Sequence, residues 1–294
     1  MIRKNIYLFL SRFTKGYFRD KRFYVSGILL IGISFLSLSC EKFVYNIYET
    51  ERHEKDIHVT TDHNIDQLLA LPLRDTLHVV FFGDSQRFYD DLEDLVESVN
   101  QLPQLDAVII TGDLTDFGLS MEYDLSNEVL SKLKVPFLTV IGNHDCLENG
   151  VELYESIYGP LNYSFTWNKI RFIMLNTNSR EFNFNGSVPD LNWMHSQLLD
   201  TADYEACLFI SHVPPYHRDF DKKLEQDFIQ TVREAKNTVL SANGHNHTTF
   251  TTQFYNDGIW YLNTGSPSNR IYNYVTIYPF SSSSKKFDNT LMYF

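Results

Sequence analysis

Phe137-Leu138-Thr139-Val140-Ile141-Gly142-Asn143-His144-Asp145 is an apolar run that ends abruptly in four polar or flexible residues. Bounded by Pro136 and Gly142, a run of this length reads as a buried strand whose polar tail emerges at one edge of a sheet. Clefts at the carboxyl ends of strands are where α/β proteins keep their chemistry. An amide, an imidazole and a carboxylate delivered together at such an edge suit a metal or phosphate site, although a solvated turn uses similar residues. The rest of the chain has to decide between the two.

Working outward, apolar runs alternate with amphipathic stretches. Leu77–Phe82 reads as a strand, 89–102 as a helix with apolar Leu92, Leu95, Val96 and Val99, and Ala107–Ile110 as the next strand. A helix over 120–133 and the strand 137–141 follow. This alternation at intervals of about thirty residues is the βαβ signature and implies a parallel or mixed sheet with outer helices. After a helix at 151–158, the pair 163–167 and 171–176, separated by Asn168 and Lys169, reads as a hairpin. A helix near 189–199, a strand at 207–210 and a helix near 224–235 come next. Strand candidates at 248–254, 259–263 and 272–277 close the fold, with a serine run at 281–284 before a last short segment. Two sheets, each contributing strand ends to one cleft, fit this order.

The N-terminus has a different texture. Residues 1–22 are basic, and Phe23 to Cys40 is uncharged and apolar, closing in Leu36-Ser37-Leu38-Ser39-Cys40. This is the layout of an export signal. Small residues before a cysteine resemble a bacterial lipoprotein signal in which Cys40 is lipidated, though Ser37 stands where that signal prefers Leu. The alternative is an uncleaved anchor, since 18 uncharged residues are borderline for spanning a bilayer. Either way residues 1–40 form a signal peptide or membrane anchor, 41–75 a mixed, charged tether with a helical turn or two, and 76–294 the domain, held in the cell envelope outside the inner membrane. His53, His58 and His63 in the tether are five apart, which matches neither the helix nor the strand repeat.

Net charge is −12; the first 39 residues carry seven Lys and Arg against Asp20 alone, a balance of +6, which leaves −18 for the remainder. A nucleic-acid partner is not expected of so acidic a body, because nucleic acids are held largely by Lys and Arg on phosphates. A small phosphorylated substrate fits if bound cations reverse the local field. Three cysteines are too few for a disulfide framework. Cys207, in an apolar run, reads as a buried free thiol.

Five strand ends carry polar clusters: Gly83-Asp84-Ser85-Gln86, Gly112-Asp113-Leu114-Thr115-Asp116, Gly142-Asn143-His144-Asp145, Ser211-His212-Val213-Pro214-Pro215 and Gly244-His245-Asn246-His247. Asp, Asn and His together are donors suited to Mn, Fe, Zn or Mg. A glycine ahead of such residues lets backbone approach backbone. In this order the clusters resemble the motifs of the calcineurin-like metallophosphoesterases, D-x-H, G-D-x-x-D/E, G-N-H-D/E, H and G-H-x-H, over roughly Leu77 to Thr264. Four of the five match unchanged; G-D alone is ordinary turn chemistry, but G-N-H-D and G-H-x-H in order are specific.

The resemblance implies a four-layer α/β/β/α sandwich of two mixed sheets with outer helices, and two divalent or trivalent metal ions, Mn, Fe or Zn, between them. Asp84, Gln86, Asp113 and His247 would hold the first; Asp113, Asn143, His212 and His245 would hold the second, with Asp113 bridging. The implied reaction is hydrolysis of a phosphomonoester or diester by a hydroxide between the metals. His144 would protonate the leaving group or stabilise phosphoryl charge, Asp145 would orient His144, and Asp116 would support it. Gln86 is the departure, since the family motif has His there and an amide oxygen is a weaker donor. It keeps open a second reading, a non-catalytic metal- and ligand-binding protein with a degenerate first site. Retention of His144 favours the enzyme. Arg87, Arg270 and His217 are further candidates to meet substrate, whereas His78 and His195 read as structural or exposed.

Overall fold

The computed structural model describes residues 60–279 and 286–294. The basic segment, the apolar run to Cys40, and His53 and His58 lie outside these residues. Among the described residues no helix is long and apolar enough to cross a membrane.

The parallel strands expected from the alternating pattern form one sheet: β1 (Leu77–Phe82), β2 (Ala107–Ile110) and β3 (Phe137–Thr139) run parallel. β1 also pairs antiparallel with β10 (Ile271–Ile277), and β10 with β11 (Phe287–Tyr293), so the order is β11-β10-β1-β2-β3. The second sheet is β4-β5-β6-β7-β9-β8, built from β4 (Tyr163–Trp167), β5 (Ile170–Leu175), β6 (Ala206–Ser211), β7 (Ser241–Asn243), β8 (Phe250–Thr252) and β9 (Tyr261–Asn263). Its interior strands β5, β6, β7 and β9 are parallel, and its two edges are antiparallel. The hairpin joining β4 to β5 turns at Asn168 and Lys169, whose φ values of 50° and 63° are those of a two-residue type I′ turn.

Strand periodicity sorts the apolar residues into layers. Val79, Phe81, Ala107 and Ile109 of the first sheet share one core with Phe172, Met174, Leu208 and Ile210 of the second, so this core lies between the sheets. Val80, Phe82, Val108 and Ile110 face the other way and pack on α2 (Tyr89–Val99), α3 (Ser120–Leu130) and α4 (Gly150–Tyr158) through Leu92, Leu95, Tyr123 and Tyr154. On the far side Ile173, Leu175, Cys207 and Phe209 pack on α5 (Leu191–Ser196) and α6 (Glu225–Glu234) through Met194, Phe228 and Val232. Strands buried on both faces read as unbroken apolar runs, and the result is the four-layer α/β/β/α sandwich. Each fully buried large side chain contributes roughly 1.5–3 kcal/mol.

Several elements are shorter than the sequence reading, α3, α5, β8 and β9 among them, and three differences bear on the fold. α2 stops at Val99, with Asn100 closing it, because Pro103 disfavours helical backbone at Leu102. β3 ends at Thr139, two residues early, and the Ile141 carbonyl accepts from Asn178 Nδ2 at 3.0 Å instead of a strand neighbour. Within the stretch read as tether, residues 60–69 form helix α1 (Thr60–Leu69). Leu68 is fully buried in the inter-sheet core and Asn64 donates to the Phe137 carbonyl at 2.7 Å, so α1 belongs to the folded unit.

Candidate active site

The carboxyl ends of β1, β2 and β3 in one sheet, and of β6 and β7 in the other, carry the five polar clusters to a common rim. Close packing of these loops requires small residues. A Cβ on Gly142 would lie 2.1 Å from both the Asp113 nitrogen and its Oδ1. Asp84, Gln86, Asp113, His245 and His247 all have φ between 42° and 73°, the left-handed region that costs a non-glycine residue roughly 1–3 kcal/mol. Cross-loop hydrogen bonds hold them there: Asp84 N to Gly112 O at 2.9 Å, Gln86 N to Asp113 O at 3.0 Å, and Gly244 N to His212 O at 3.1 Å.

Donor atoms converge in two groups. In one, Asn143 Oδ1 lies 3.0 Å from His212 Nε2 and 2.8 Å from His245 Nδ1, and the two ring nitrogens are 3.3 Å apart. His212 Nε2 is also 3.4 Å from Asp113 Oδ1. In the other, His247 Nε2 lies 3.3 Å from Asp84 Oδ1, and Gln86 Nε2 donates to Asp113 Oδ2 at 3.2 Å. Gln86 therefore sits against the Asp113 carboxylate, with its amide nitrogen turned inward. Asp84, Asp113 and His212 offer donor atoms within 4.8 Å of one another, all from buried residues.

This donor set fits a metal. Atoms held about 2.1 Å from one ion are about 3.0–3.4 Å from each other, close to the 2.8–3.4 Å spacing of the contacts among Asn143, His212, His245 and Asp113. Two carboxylates with almost no solvent exposure, side by side, also call for a cation. The His212 ring is oriented by its other nitrogen: Nδ1 lies 2.7 Å from the Thr111 carbonyl, which can only accept, so Nδ1 carries the proton and Nε2 is free to ligate.

In the protein without metal, the charge on His212 stands in for the cation, and Nε2 gives up that proton when it ligates. Burial raises Asp84 to about 7, opposed by His212 and reinforced by Asp113. Burial would raise Asp113 as well, but His212 and His144 outweigh it and hold that carboxyl at about 2. Burial would lower His212, yet Asp113 and Asp84 outweigh it and lift the ring to about 10. His245 is pushed down to about 3 by burial and by its neighbours His212 and His217, so it stays neutral, the form that ligates.

His144 stands at the edge of this group with a third of its side chain exposed. Its backbone N–H donates to Asp113 Oδ1 at 2.9 Å, and ring Nδ1 lies 2.8 Å from the Asp116 carbonyl and 3.6 Å from the Asp116 carboxylate. Asp145 does not meet the His144 ring. Its fully buried carboxylate accepts from Gly142 N at 2.9 Å, Leu114 N at 3.2 Å, Thr115 N at 2.9 Å and Thr115 Oγ1 at 2.8 Å, clamping the third loop to the second. Asp145 thus bonds the backbone of the loop that carries His144, whereas Asp116 meets the ring itself. Arg87 bonds the Asp116 carboxylate at 2.8 Å beside His144, with most of its side chain exposed. Arg270 pairs with Asp91 and Asp94 and bonds the Phe294 carbonyl, well occupied on the surface. His78 bonds Tyr274 and His195 bonds Thr231.

The sequence reading passed over Asp219, Arg180 and Asn178. Asp219 Oδ2 lies 3.3 Å from His245 Nε2, 3.7 Å from His217 Nδ1 and 3.6 Å from Arg180 Nη1. It follows no glycine and ends no strand, so its only sequence signal is its distance of two residues from His217.

The four-layer sandwich gathers carboxylate, amide and imidazole donors, a set that fits metal ions, at the carboxyl rim of both sheets. The chain belongs to the calcineurin-like phosphoesterases, whose family profile matches residues 77–249. It is a phosphoester hydrolase of that family. It is similar to a probable glycerophosphodiester phosphodiesterase, GpdQ, of Arcobacter nitrofigilis, at 32% identity over 184 residues, 58% of this chain and 67% of the relative. A 3',5'-cyclic-nucleotide phosphodiesterase of Nostoc sp. is 27% identical over 191 residues, 63% of this chain and 68% of the relative. A dimetal phosphatase from Danio rerio superposes with a TM-score of 0.53, covering 72% of this chain and 98% of that one; at 13% identity the likeness is one of fold.

Proposed function

We propose that this chain hydrolyses a small phosphodiester at a two-metal centre in which Asp84, Gln86, Asp113 and His247 hold one ion and Asp113, Asn143, His212 and His245 the other. The observation that carries this is the trio of Asn143 Oδ1, His212 Nε2 and His245 Nδ1, mutually 2.8–3.3 Å apart beside the buried Asp113 carboxylate. The diester preference rests on the similarity to relatives named for glycerophosphodiesters and 3',5'-cyclic nucleotides.

Bound there, Mn, Fe or Zn would supply Lewis acidity, drawing charge from the phosphoryl oxygens and acidifying the attacking water. The protein's own part is positioning and proton transfer. The Asp116 carbonyl accepts a hydrogen bond from Nδ1–H of His144, so the proton the ring would pass to the departing alkoxide is the second one, carried on Nε2 of its imidazolium form. Asp145, by bonding Gly142 and the second loop, keeps His144 at a fixed distance from Asp113. Arg87, already neutralised by Asp116, is placed to meet a substrate oxygen from the rim.

The basic segment and the apolar run ending at Cys40 support a place in the cell envelope, attached through a lipidated Cys40 or an N-terminal anchor, with the acidic body outside the inner membrane. Hydrolysis of bis(p-nitrophenyl) phosphate, p-nitrophenyl phosphate, a glycerophosphodiester and a cyclic nucleotide, each with added Mn, Fe or Zn, tests the reading. We expect metal-dependent turnover, faster on the diesters and lost in His144→Ala. No metal-dependent turnover across the panel would overturn it.

A further inference from the structure

His245 divides its two ring nitrogens between different neighbours. Nδ1 faces Asn143 and His212 within the donor trio, and Nε2 lies 3.3 Å from Asp219 Oδ2. A neutral imidazole carries its proton on one nitrogen only, and a ring that ligates through Nδ1 must carry it on Nε2. An ionised carboxylate accepts hydrogen bonds and cannot donate. We propose that Asp219 is a positioning residue for the metal centre: it accepts the Nε2 proton of His245, selects the tautomer with a free Nδ1, and fixes the plane of the ring.

The surroundings of Asp219 are built for that task. His217 lies edge-on to His245, with centroids 4.4 Å apart and planes at 80°, and so limits rotation of the ring. The Asp219 backbone donates to His217 Nδ1 at 3.2 Å, which fixes His217 in turn. Arg180 Nη1, 3.6 Å from Asp219 Oδ2, balances the charge of a carboxylate whose side chain is only 13% exposed. Three elements of the second sheet thus meet here: the loop after β5 through Arg180, the loop after β6 through His217 and Asp219, and the loop after β7 through His245. A different use of these residues, a cation held by His217, Asp219 and His245 themselves, would need His245 to give up Nε2 to one ion while Nδ1 serves another. A neutral ring has one free lone pair, so the hydrogen bond to Asp219 is the simpler use.

The proposal rests on the metal-centre reading above, and its test separates the two. Nitrogen-15 NMR of the histidine rings in the metal-free full chain reads the tautomer of His245 directly, with His245→Ala assigning its signals. Calorimetric titration with Mn and with Zn reads affinity. Without metal, Asn143 Oδ1, 2.8 Å from Nδ1, competes for the ring proton; we expect the charged Asp219 to keep it on Nε2 in wild type, and Asp219→Ala to move it to Nδ1. Outer carboxylates of this kind govern metal affinity by about 10–100-fold, and the second site should weaken within that range. Asp219→Asn, whose amide oxygen still accepts a hydrogen bond, should restore the tautomer and most of the affinity. A dispersed amide spectrum confirms that each variant is folded. An unchanged tautomer in Asp219→Ala would overturn the proposal. So would the loss of a whole equivalent of metal in Asp219→Asn, which would make Asp219 itself a ligand. If wild type binds no metal, the two-metal reading fails, and the tautomer comparison alone decides the role of Asp219.

Discussion

The ring Nδ1 of His144 lies 2.8 Å from the carbonyl oxygen of Asp116, which stands on the preceding strand-end loop. A carbonyl has no proton to give, so Nδ1 carries one, and the proton available to a leaving group is the one on Nε2 of the imidazolium form. His144→Ala should therefore lower kcat by about 10²–10⁴-fold, the range for loss of a positioned general acid. Metal affinity should be nearly unchanged, because the ring contacts no donor of the trio. Parallel kinetics and calorimetry check both halves; a matching loss of metal would make His144 a ligand.

Asp145 presents a different case, since its substitution should fail through structure. Asp145→Ala leaves four donors on Gly142, Leu114 and Thr115 without their acceptor in a fully buried place. Unsatisfied buried groups of this kind cost on the order of 3 kcal/mol or more in total. Denaturant unfolding should show that loss, with activity falling because Asp113 and His144 are no longer held together. Full stability in the variant would contradict the clamp.

Gly142→Ala tests the approach of the loops without removing a polar side chain. The added methyl would sit 2.1 Å from the Asp113 nitrogen and Oδ1, so one loop must retreat. Overpacking costs roughly 1–3 kcal/mol. Metal affinity should fall as well, because Asp113 carries the displaced contact, and calorimetry beside thermal unfolding would show whether it does.

Gln86 is the departure from the family pattern, and its amide nitrogen faces Asp113 Oδ2 at 3.2 Å. Replacing the amide with a better donor in Gln86→His should tighten the first metal by roughly tenfold, about 1.4 kcal/mol. An unchanged dissociation constant would remove Gln86 from the ligand set.

Chelation should lower the melting temperature. A metal present at 100 times its dissociation constant stabilises the folded state by about 2.7 kcal/mol, and without it the buried pair Asp84 and Asp113 is countered by the rings of His212 and His144. Thermal melts with EDTA, and then with Mn or Zn restored, read this directly. Identical melts would argue against a bound ion.

Much of the fold was legible because its signals are local. An apolar run of four to six residues marks a strand buried on both faces wherever it packs, and β1 and β2 have the bounds their sequence predicts. The candidate ligands were legible for a related reason: each cluster follows a strand, four of the five an apolar run and the last the weaker β7, so chain connectivity delivers it to the rim. Helix α1 was less so, because its burial depends on a groove made by β3, α4 and β4, elements that lie 68 or more positions further along. The early end of β3 likewise depends on Asn178, which arrives from the other sheet.

The sequence by itself determined the order of strands, the polar clusters at their ends and the family to which those clusters point. Only the tertiary structure decided how neighbours divide the work: that Asp145 clamps backbone while Asp116 holds the His144 ring, and that Asp219 attends His245. Periodicity reports which face of an element is buried. Hydrogen-bond partners are set by how two twisted sheets bring separate loops within 3 Å, a distance no local pattern encodes.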